Sequence, residues 1–393
     1  MESKRGMIMT EKLYYKNPYQ KVFSAHVLKC EKEKGNWQVV LDRTAFYPEG
    51  GGQPADIGVL DLANVTDVQV YGDEIVHTTD RPLNAGSAVM GGVNWEHRFR
   101  LMQQHTGEHI VSGIANRLYG VDNVGFHMGE KNMTVDWNGR LKNDQLRLIE
   151  RLANEAVYSN LPVSAEFPPP EKLNDMNYRS KKELTGRIRI VTVPGYDMCA
   201  CCGTHVAFTG EIGAIKLLTS QNYKGGTRVT LACGTQAMED FELKQQNVMA
   251  VSSLLSAKPE EIADAVSHLV DDNERLKHEL SETRGHLLEM KADAFEKGCG
   301  NISVFEKSFL PDDMRKYAIM LAKRGGGVAA VFCGADGGYR YAMAGSNNDV
   351  RPIGKKLDAE FSGRGGGSKE LFQGSVKGKQ SELEHFFQQL SSI

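Results

Sequence analysis

Between residues 10 and 90 apolar positions alternate with polar ones in short runs. VFSAHVLKC, NWQVVLDR, DVQVYG and EIVHTTD carry β-branched and aromatic residues and are separated by polar or glycine-bearing turns, a pattern that predicts strands of a small barrel or sandwich. At Trp95 the period changes. Phe99, Met102, Ile110, Ile114 and Leu118 recur at helical intervals through HRFRLMQQHTGEHIVSGIANRLYG, which predicts an amphipathic helix. NDQLRLIERLANEAVYSN predicts a second helix with Asn143 or Asp144 as its cap. FPPPEKL reads as a loop, RIRIVTV as a strand, and IGAIKLL followed by GGTRVTLACG as a hairpin. Helices set among strands in one contiguous block mean an α+β fold.

From about residue 241 the pattern shifts again. Ile262, Val266, Leu269, Asn273, Leu276, Leu280, Thr283, Leu287 and Met290 alternate spacings of four and three, a heptad seam. Such a seam pairs two chains, or it is one amphipathic helix packed on its own domain. Asn273 suits a register-setting amide of a coiled coil, whereas Gly285 weakens the helix. After Gly298–Gly300, ISVFEKSF, VAAVFCGA and YRYAMAGS read as strands and PDDMRKYAIMLAKR as a helix. DVRPIGKKLDAEF and SELEHFFQQL are helices flanking a glycine-rich loop. The expected order is a β-barrel-like domain over 1–92, an α+β metal-binding domain over 93–240, a helical coiled-coil linker over 241–300 and an α/β domain over 301–393.

Composition narrows the class. With 40% hydrophobic and 25% charged residues in 393, the chain is an ordinary globular one and not a disordered one. No apolar run approaches the ~20 residues of a membrane helix, and the amino terminus lacks the apolar stretch of a signal peptide. The expected location is therefore the cytoplasm. A net charge of −3 confines any nucleic-acid binding to local patches. The seven cysteines are odd in number and three of them crowd into Cys199, Cys201 and Cys202. In a reducing compartment that clustering indicates a metal or catalytic site before a disulfide.

The candidate chemistry lies in three segments. His105-Thr106-Gly107-Glu108-His109 places two imidazoles four residues apart on one helix face. Cys201-Cys202-Gly203-Thr204-His205 adds a thiolate and a third imidazole. This donor set is borderline-soft and suits Zn²⁺ better than Mg²⁺ or Ca²⁺. Cys199 and Cys202 read as neighbours of the site. His105 to His109 also matches the HxxEH pattern of inverzincin peptidases, with Glu108 as general base, but that reading leaves Cys201 and His205 unexplained. Glu108 is otherwise a solvated helix residue. In the third segment, Arg43 to Gln53, Gly51 and Gly52 let the backbone approach a ligand, and Gln53 can donate and accept hydrogen bonds. The bland alternative is a hairpin turn. No Lys-Ser or Lys-Thr follows the glycines, which excludes a phosphate loop.

TAFYPEGGGQPADIG, QQHTGEHI, GFHMGEKNMTVD and CCGTHVAFTGEIG occur in that order and together resemble the editing domain of alanyl-tRNA synthetase and the free-standing AlaX-type alanyl-tRNA editing proteins. The resemblance covers roughly residues 10 to 240. It implies His105, His109, Cys201 and His205 as ligands of one zinc per protomer. It also implies Gln53 as a substrate-positioning residue beside Gly51 and Gly52, with Thr44 a further contact, and structural roles for His127 and Asp136. FSGRGGGSKELFQGS resembles the last domain of alanyl-tRNA synthetase, also found in DHH-family phosphoesterases, but the chain has no Asp-His-His motif. The chain is thus similar to the long form of the editing proteins. The implied reaction is hydrolysis of the ester in mischarged tRNA(Ala), carrying serine or glycine, with Glu108 a candidate base. Arg351, Lys355, Lys356, Arg364 and Lys369, interleaved with glycines, are the implied RNA contacts. A homodimer through the seam and last domain is expected. The rival from another class is a noncatalytic tRNA-binding protein with a structural zinc.

Overall fold

The computed structural model describes residues 10–129, 132–180 and 186–390. The chain divides into two compact units, Met1–Met249 and Ala250–Ile393. Among the described residues no helix is long and apolar enough to cross a membrane.

After a short strand Glu11–Lys12, which pairs with Arg43–Thr44, and a helical turn Leu13–Lys16, the first unit carries a six-stranded sheet: β1 (Val22–Glu33), β2 (Asn36–Leu41), β3 (Gly58–Leu60), β4 (Ala63–Tyr71), β5 (Glu74–Thr79) and β6 (Ala88–Val93). Their pairing runs β1-β2-β5-β4-β3-β6 and returns to β1, closing the sheet on itself. Alternation puts Phe23, Ala25 and Val27 of β1 inward with Val39, Leu41, Val65, Val68 and Ile75.

Helix α1 (Trp95–Tyr119) follows, capped by the Asn94 side chain, which accepts from the His97 N–H, and ended by Gly120 at a left-handed φ of 63°. The expected amphipathic helix is corrected here. Every residue from Leu101 to Ala115 is buried, so α1 runs through the core and its polar side chains all need partners inside it. The core around it comes from the sheet β7 (Asn123–Met128), β8 (Met133–Trp137), β12 (Ile215–Tyr223) and β13 (Gly226–Cys233), in the order β12-β13-β8-β7, and from α2 (Asn143–Tyr158). A smaller sheet joins β9 (Ser164–Glu166), β10 (Ile190–Val193) and β11 (Asp197–Ala200). Two local expectations change. The cap of α2 is Lys142, whose N–H donates to Gln145 Oε1 at 2.8 Å, and Asn143 is already helical. Within FPPPEKL, Pro170–Leu173 makes one helical turn, opened by a proline at its first position.

Helix α3 (Thr235–Leu255) spans the boundary between the units, and α4 (Ile262–Asp293) opens the second. Gly285 does not interrupt α4. The rest of that unit is a five-stranded sheet, β14 (Gly300–Glu306), β15 (Gly326–Ala335), β16 (Gly338–Gly345), β17 (Arg364–Gly367) and β18 (Leu371–Val376), in the order β14-β15-β16-β18-β17. Helices α5 (Pro311–Gly325), α6 (Arg351–Glu360) and α7 (Gln380–Gln389) complete it. Strand β15 is apolar on both faces. Val328, Ala330 and Phe332 pack with Leu357, Leu383 and Phe387, while Ala329, Val331 and Cys333 pack with Met314, Leu321 and Leu288. A sheet covered on both sides is a three-layer α/β arrangement. The glycine-rich loop is a second correction. Arg364–Gly367 is an edge strand paired antiparallel with β18 from Arg364↔Ser375 to Gly367↔Phe372. A Cβ at Gly365 would lie 2.5 Å from the Tyr341 hydroxyl, so glycine lets this strand sit against the ring.

Candidate metal centre

Helix α1 reaches the barrel through a buried ion pair. The Arg98 guanidinium meets the Asp56 carboxylate with both side chains fully buried, and it also donates to Pro18 O at 2.7 Å and Ala45 O at 2.6 Å. Two turns further on, His105 and His109 meet the loop that leaves β11. The donor atoms of His105, His109, Cys201 and His205 all lie within 4.8 Å of one another. Cys201 Sγ is 3.3 Å from His105 Nε2 and 3.5 Å from His205 Nε2. Only glycine fits at position 203, because a Cβ there would sit 2.2 Å from the His105 ring. Arg189, nearly buried, holds the same loop by donating to Cys201 O at 3.0 Å and Gly203 O at 2.8 Å.

Each histidine is tied at Nδ1. His105 Nδ1 lies 2.8 Å from Gln53 Oε1, His109 Nδ1 2.9 Å from Asp197 Oδ2, and His205 Nδ1 3.1 Å from Thr106 Oγ1. The Thr106 hydroxyl donates to Met102 O at 2.9 Å, so toward His205 it is an acceptor. A carboxylate likewise only accepts. For His109 and His205, Nδ1 therefore carries a proton. The Gln53 amide nitrogen donates to Thr204 Oγ1 at 2.9 Å, which leaves its oxygen facing His105 and assigns that ring the same tautomer.

Electrostatics follow from the packing. Burial raises the Cys201 thiol, but His105 and His109 beside it outweigh burial and hold it well below the ordinary thiol range. Burial pulls His109 down, yet Cys201 and Asp197 together keep it well above the imidazole range. His205, buried and next to His105, is lowered to about 3 and stays neutral. The cluster is a thiolate with imidazoles aimed at it, a donor set for a cation.

His105, His109 and Cys201 form part of the wall of a cavity of about 480 Å³, which Gly51, Gly52, Val124, Phe126, Arg187, Ile188, Arg189 and Cys202 also line, whereas His205 does not reach it. Gly51 and Gly52 have φ of 63° and 87°, and a Cβ on Gly52 would lie 2.6 Å from the Phe126 ring. Other expected contacts lie elsewhere. Thr44 is fully buried in the barrel, its hydroxyl 2.8 Å from His77 Nε2, and it does not line the cavity. Gln53 is fully buried with its amide engaged by His105 and Thr204. Glu108 is buried too. It accepts from Ser112 Oγ at 2.6 Å and from the Asn123 amide, and it does not line the cavity. Asp136 pairs with Arg228 at 2.6 Å across β8 and β13. Cys199 is buried, whereas Cys202 is exposed. In the second unit Lys355, Lys356, Arg364 and Lys369 are exposed, and Arg351 is engaged with Asp349 at 2.6 Å. Asp197, Thr106 and Arg189 were not anticipated as parts of the site.

The chain is similar to known proteins along its length. Residues 188–230 match the threonyl and alanyl tRNA synthetase second additional domain, and residues 6–97 match the class II (A) tRNA synthetases. The alanyl-tRNA editing protein AlaX-L of Pyrococcus horikoshii is 29% identical over 394 residues, covering 95% of this chain and 96% of that protein. The chain is a relative of the AlaX-type alanyl-tRNA editing proteins along nearly its whole length. The alanine–tRNA ligase of Pyrococcus abyssi is 32% identical over 397 residues, covering 94% of this chain but 42% of the ligase. That of Ignicoccus hospitalis is 32% identical over 302 residues, covering 73% of this chain and 33% of the ligase. The chain thus spans less than half the length of these ligases. Among solved structures, the C-Ala domain of Aquifex aeolicus alanyl-tRNA synthetase aligns with 22% of this chain and 89% of its own at 17% identity and a TM-score of 0.20.

Proposed function

We propose that the chain is a trans-editing hydrolase that cleaves the aminoacyl ester of tRNA(Ala) mischarged with serine or glycine. The observation that carries this reading is the convergence of three imidazoles and one cysteine sulfur, of which His105, His109 and Cys201 line an open cavity, in a relative of alanyl-tRNA editing proteins. The donor set favours zinc, one ion per protomer. Sulfur and nitrogen ligands around tetrahedral zinc stand about 3.5 Å apart, and the two Sγ–Nε2 separations are 3.3 and 3.5 Å.

The physical need for such an activity is that a pocket sized for alanine cannot exclude glycine, nor reject serine by more than about a hundredfold. His105, His109, Cys201 and His205 would fill a tetrahedral zinc, so the ion would supply Lewis-acid chemistry at the ester only where one ligand yields its place, and would otherwise serve to position the substrate. The protein's own part is positional. Gln53, Asp197 and Thr106 fix the three rings, Arg189 fixes the Cys201–His205 loop, and the bare backbone at Gly51 and Gly52 lets the ester approach the cluster. Glu108, bound by Ser112 and Asn123, is a structural carboxylate of α1 in this reading, which removes the base that an inverzincin peptidase needs. Arg351, Lys355, Lys356, Arg364 and Lys369 hold the tRNA backbone. The chain works in the cytoplasm as a homodimer.

The test is release of labelled serine, glycine and alanine from charged tRNA(Ala). Serine or glycine should be released while alanine stays bound, and Cys201→Ala should lose both metal and turnover. Binding of tRNA(Ala) with no release of any amino acid would make the chain an RNA-binding protein with a structural metal instead.

A further inference from the structure

Asp197 and Cys199 are not among the four donors of the cluster, yet both stand beside one of them. They are two residues apart on β11, so both side chains leave the same face of the strand, and both are buried. That face meets α1 on the side that carries His109. Gly113, one turn beyond His109, lets the strand come close, because a Cβ there would lie 2.8 Å from the Asp197 side chain. His109 Nδ1 lies 2.9 Å from Asp197 Oδ2, and the donor atoms of His109, Asp197 and Cys199 all fall within 4.8 Å of one another. Nitrogen, oxygen and sulfur at that spacing make a second ligand set, and His109 belongs to both sets. An imidazole has two ring nitrogens, so one ring can serve two ions.

We infer that His109, Asp197 and Cys199 form a second, weaker site for a thiophilic divalent cation of the zinc class, joined to the first cluster through the His109 ring. The mixed sulfur, nitrogen and oxygen donors suit such an ion better than Mg²⁺ or Ca²⁺. The charges also balance. A carboxylate, a thiolate and a bridging imidazolate bring three negative charges. Arg179, whose Nε donates to Asp197 Oδ1 at 2.7 Å, offsets one and leaves two for the ion. His109 and Cys199 line the cavity of about 480 Å³, so the fourth position of this three-ligand site opens onto it and takes water from there. Two costs make the site the weaker one. An entering ion must expel the protons of Cys199 and His109 Nδ1 to solvent. It must also part His109 from Asp197 by about 0.5 Å, to the ~3.4 Å spacing of nitrogen and oxygen ligands around tetrahedral zinc. Arg179 competes with the ion for Asp197.

Cadmium is the probe. It is exchanged into the first cluster of the folded full chain, then added in excess, and followed by cadmium NMR and by thiolate-to-metal absorption in the ultraviolet. Wild type should show one resonance at one ion per chain and a second as the ratio rises to two. Cys199→Ser should lose the second resonance and keep the first, whereas Cys201→Ala should lose the first and keep the second. Arg179→Met should shift the second titration to lower cadmium concentration. Saturation of wild type at a single cadmium would overturn the second site. A second resonance that persists in Cys199→Ser would overturn it too, and would mark an adventitious ion on an exposed thiol such as Cys202 or Cys299. If Cys199→Ser does not fold, Arg179→Met decides, and an unshifted second titration there rejects the assignment. None of these readings uses ester turnover, so their failure leaves the deacylase reading standing.

Discussion

Gln53 Oε1 lies 2.8 Å from His105 Nδ1 and 3.1 Å from the Thr204 N–H. One amide oxygen thus joins the loop between the barrel strands to the helix and to the loop that together carry all four donors of the cluster. Buried ring nitrogens need such partners, because an orphaned N–H costs the full desolvation of that group.

Gln53→Ala should therefore weaken metal binding. Removing a hydrogen-bond partner of a metal-ligating histidine typically lowers metal affinity 10- to 100-fold. Competition with a chromophoric chelator measures it, with Asp197→Asn and its 2.9 Å bond to His109 as a parallel case. Unchanged metal affinity with a raised KM would return Gln53 to direct contact with substrate.

The four donors were legible because their pairs are local. His105 and His109, like Cys201 and His205, sit four apart, and that spacing carries its own geometry. Their supports were not legible. Asp197 meets His109 across 88 positions of sequence and Gln53 meets His105 across 52, distances that only the fold closes. Leu101–Ala115 misled for a related reason. Polar residues read as a solvent face, but here Gln103, His105, Thr106, Glu108, His109 and Ser112 find partners inside the core, while Gln104 Oε1 is left without one. Arg364–Gly367 hid its strand because glycines give no alternation of side chains. The sheet supplies that order through pairing with β18. The barrel's alternating runs were plain because burial imposes their period residue by residue.

His77 should make the first unit acid-sensitive. It is fully buried, near Thr44 Oγ1 at 2.8 Å and Val39 O at 3.1 Å, and burial lowers it from 6.5 to about 4. In that window the unfolded chain binds the proton and the folded chain does not, so stability rises with pH. Its contribution is complete above 6.5, is lost as pH falls toward 4, and amounts to about 3 kcal/mol. Thermal melts at intervals from pH 7 to 4 should fall more steeply for wild type than for His77→Asn. Parallel curves would exclude the histidine as the cause.

Asp56→Asn should destabilise the first unit. It leaves the Arg98 guanidinium buried with the carbonyls of Pro18 and Ala45 as its remaining partners. Breaking one side of a buried pair costs about 3–5 kcal/mol. Denaturant unfolding, followed through tryptophan fluorescence since all three tryptophans (Trp37, Trp95 and Trp137) lie in this unit, measures the loss. A change below about 1 kcal/mol would mean that water enters the site and solvates Arg98.

The two faces of α4 separate association from folding. Leu288 and Ala292 are 2% and 5% exposed and pack against Met314, Tyr317 and Leu321 of α5. On the heptad seam Leu269, Leu276, Leu280 and Leu287 are each at least 50% exposed in the single chain, and Met290 is 72% exposed. A leucine stripe of that length left in water is unfavourable, and pairing with the same stripe of a second copy removes it. Leu276→Lys with Leu280→Lys puts charge on the seam without touching the packed face. Light scattering should show the mass fall from two chains to one, with the melting temperature of the second unit little changed at the concentration where wild type is already dissociated. Leu288→Ala should do the opposite, costing about 2–5 kcal/mol of stability through the cavity it leaves while the folded protein still pairs. Wild type that is monomeric at all concentrations would reject the pairing, and a double-lysine variant that remains dimeric would move the interface off this seam.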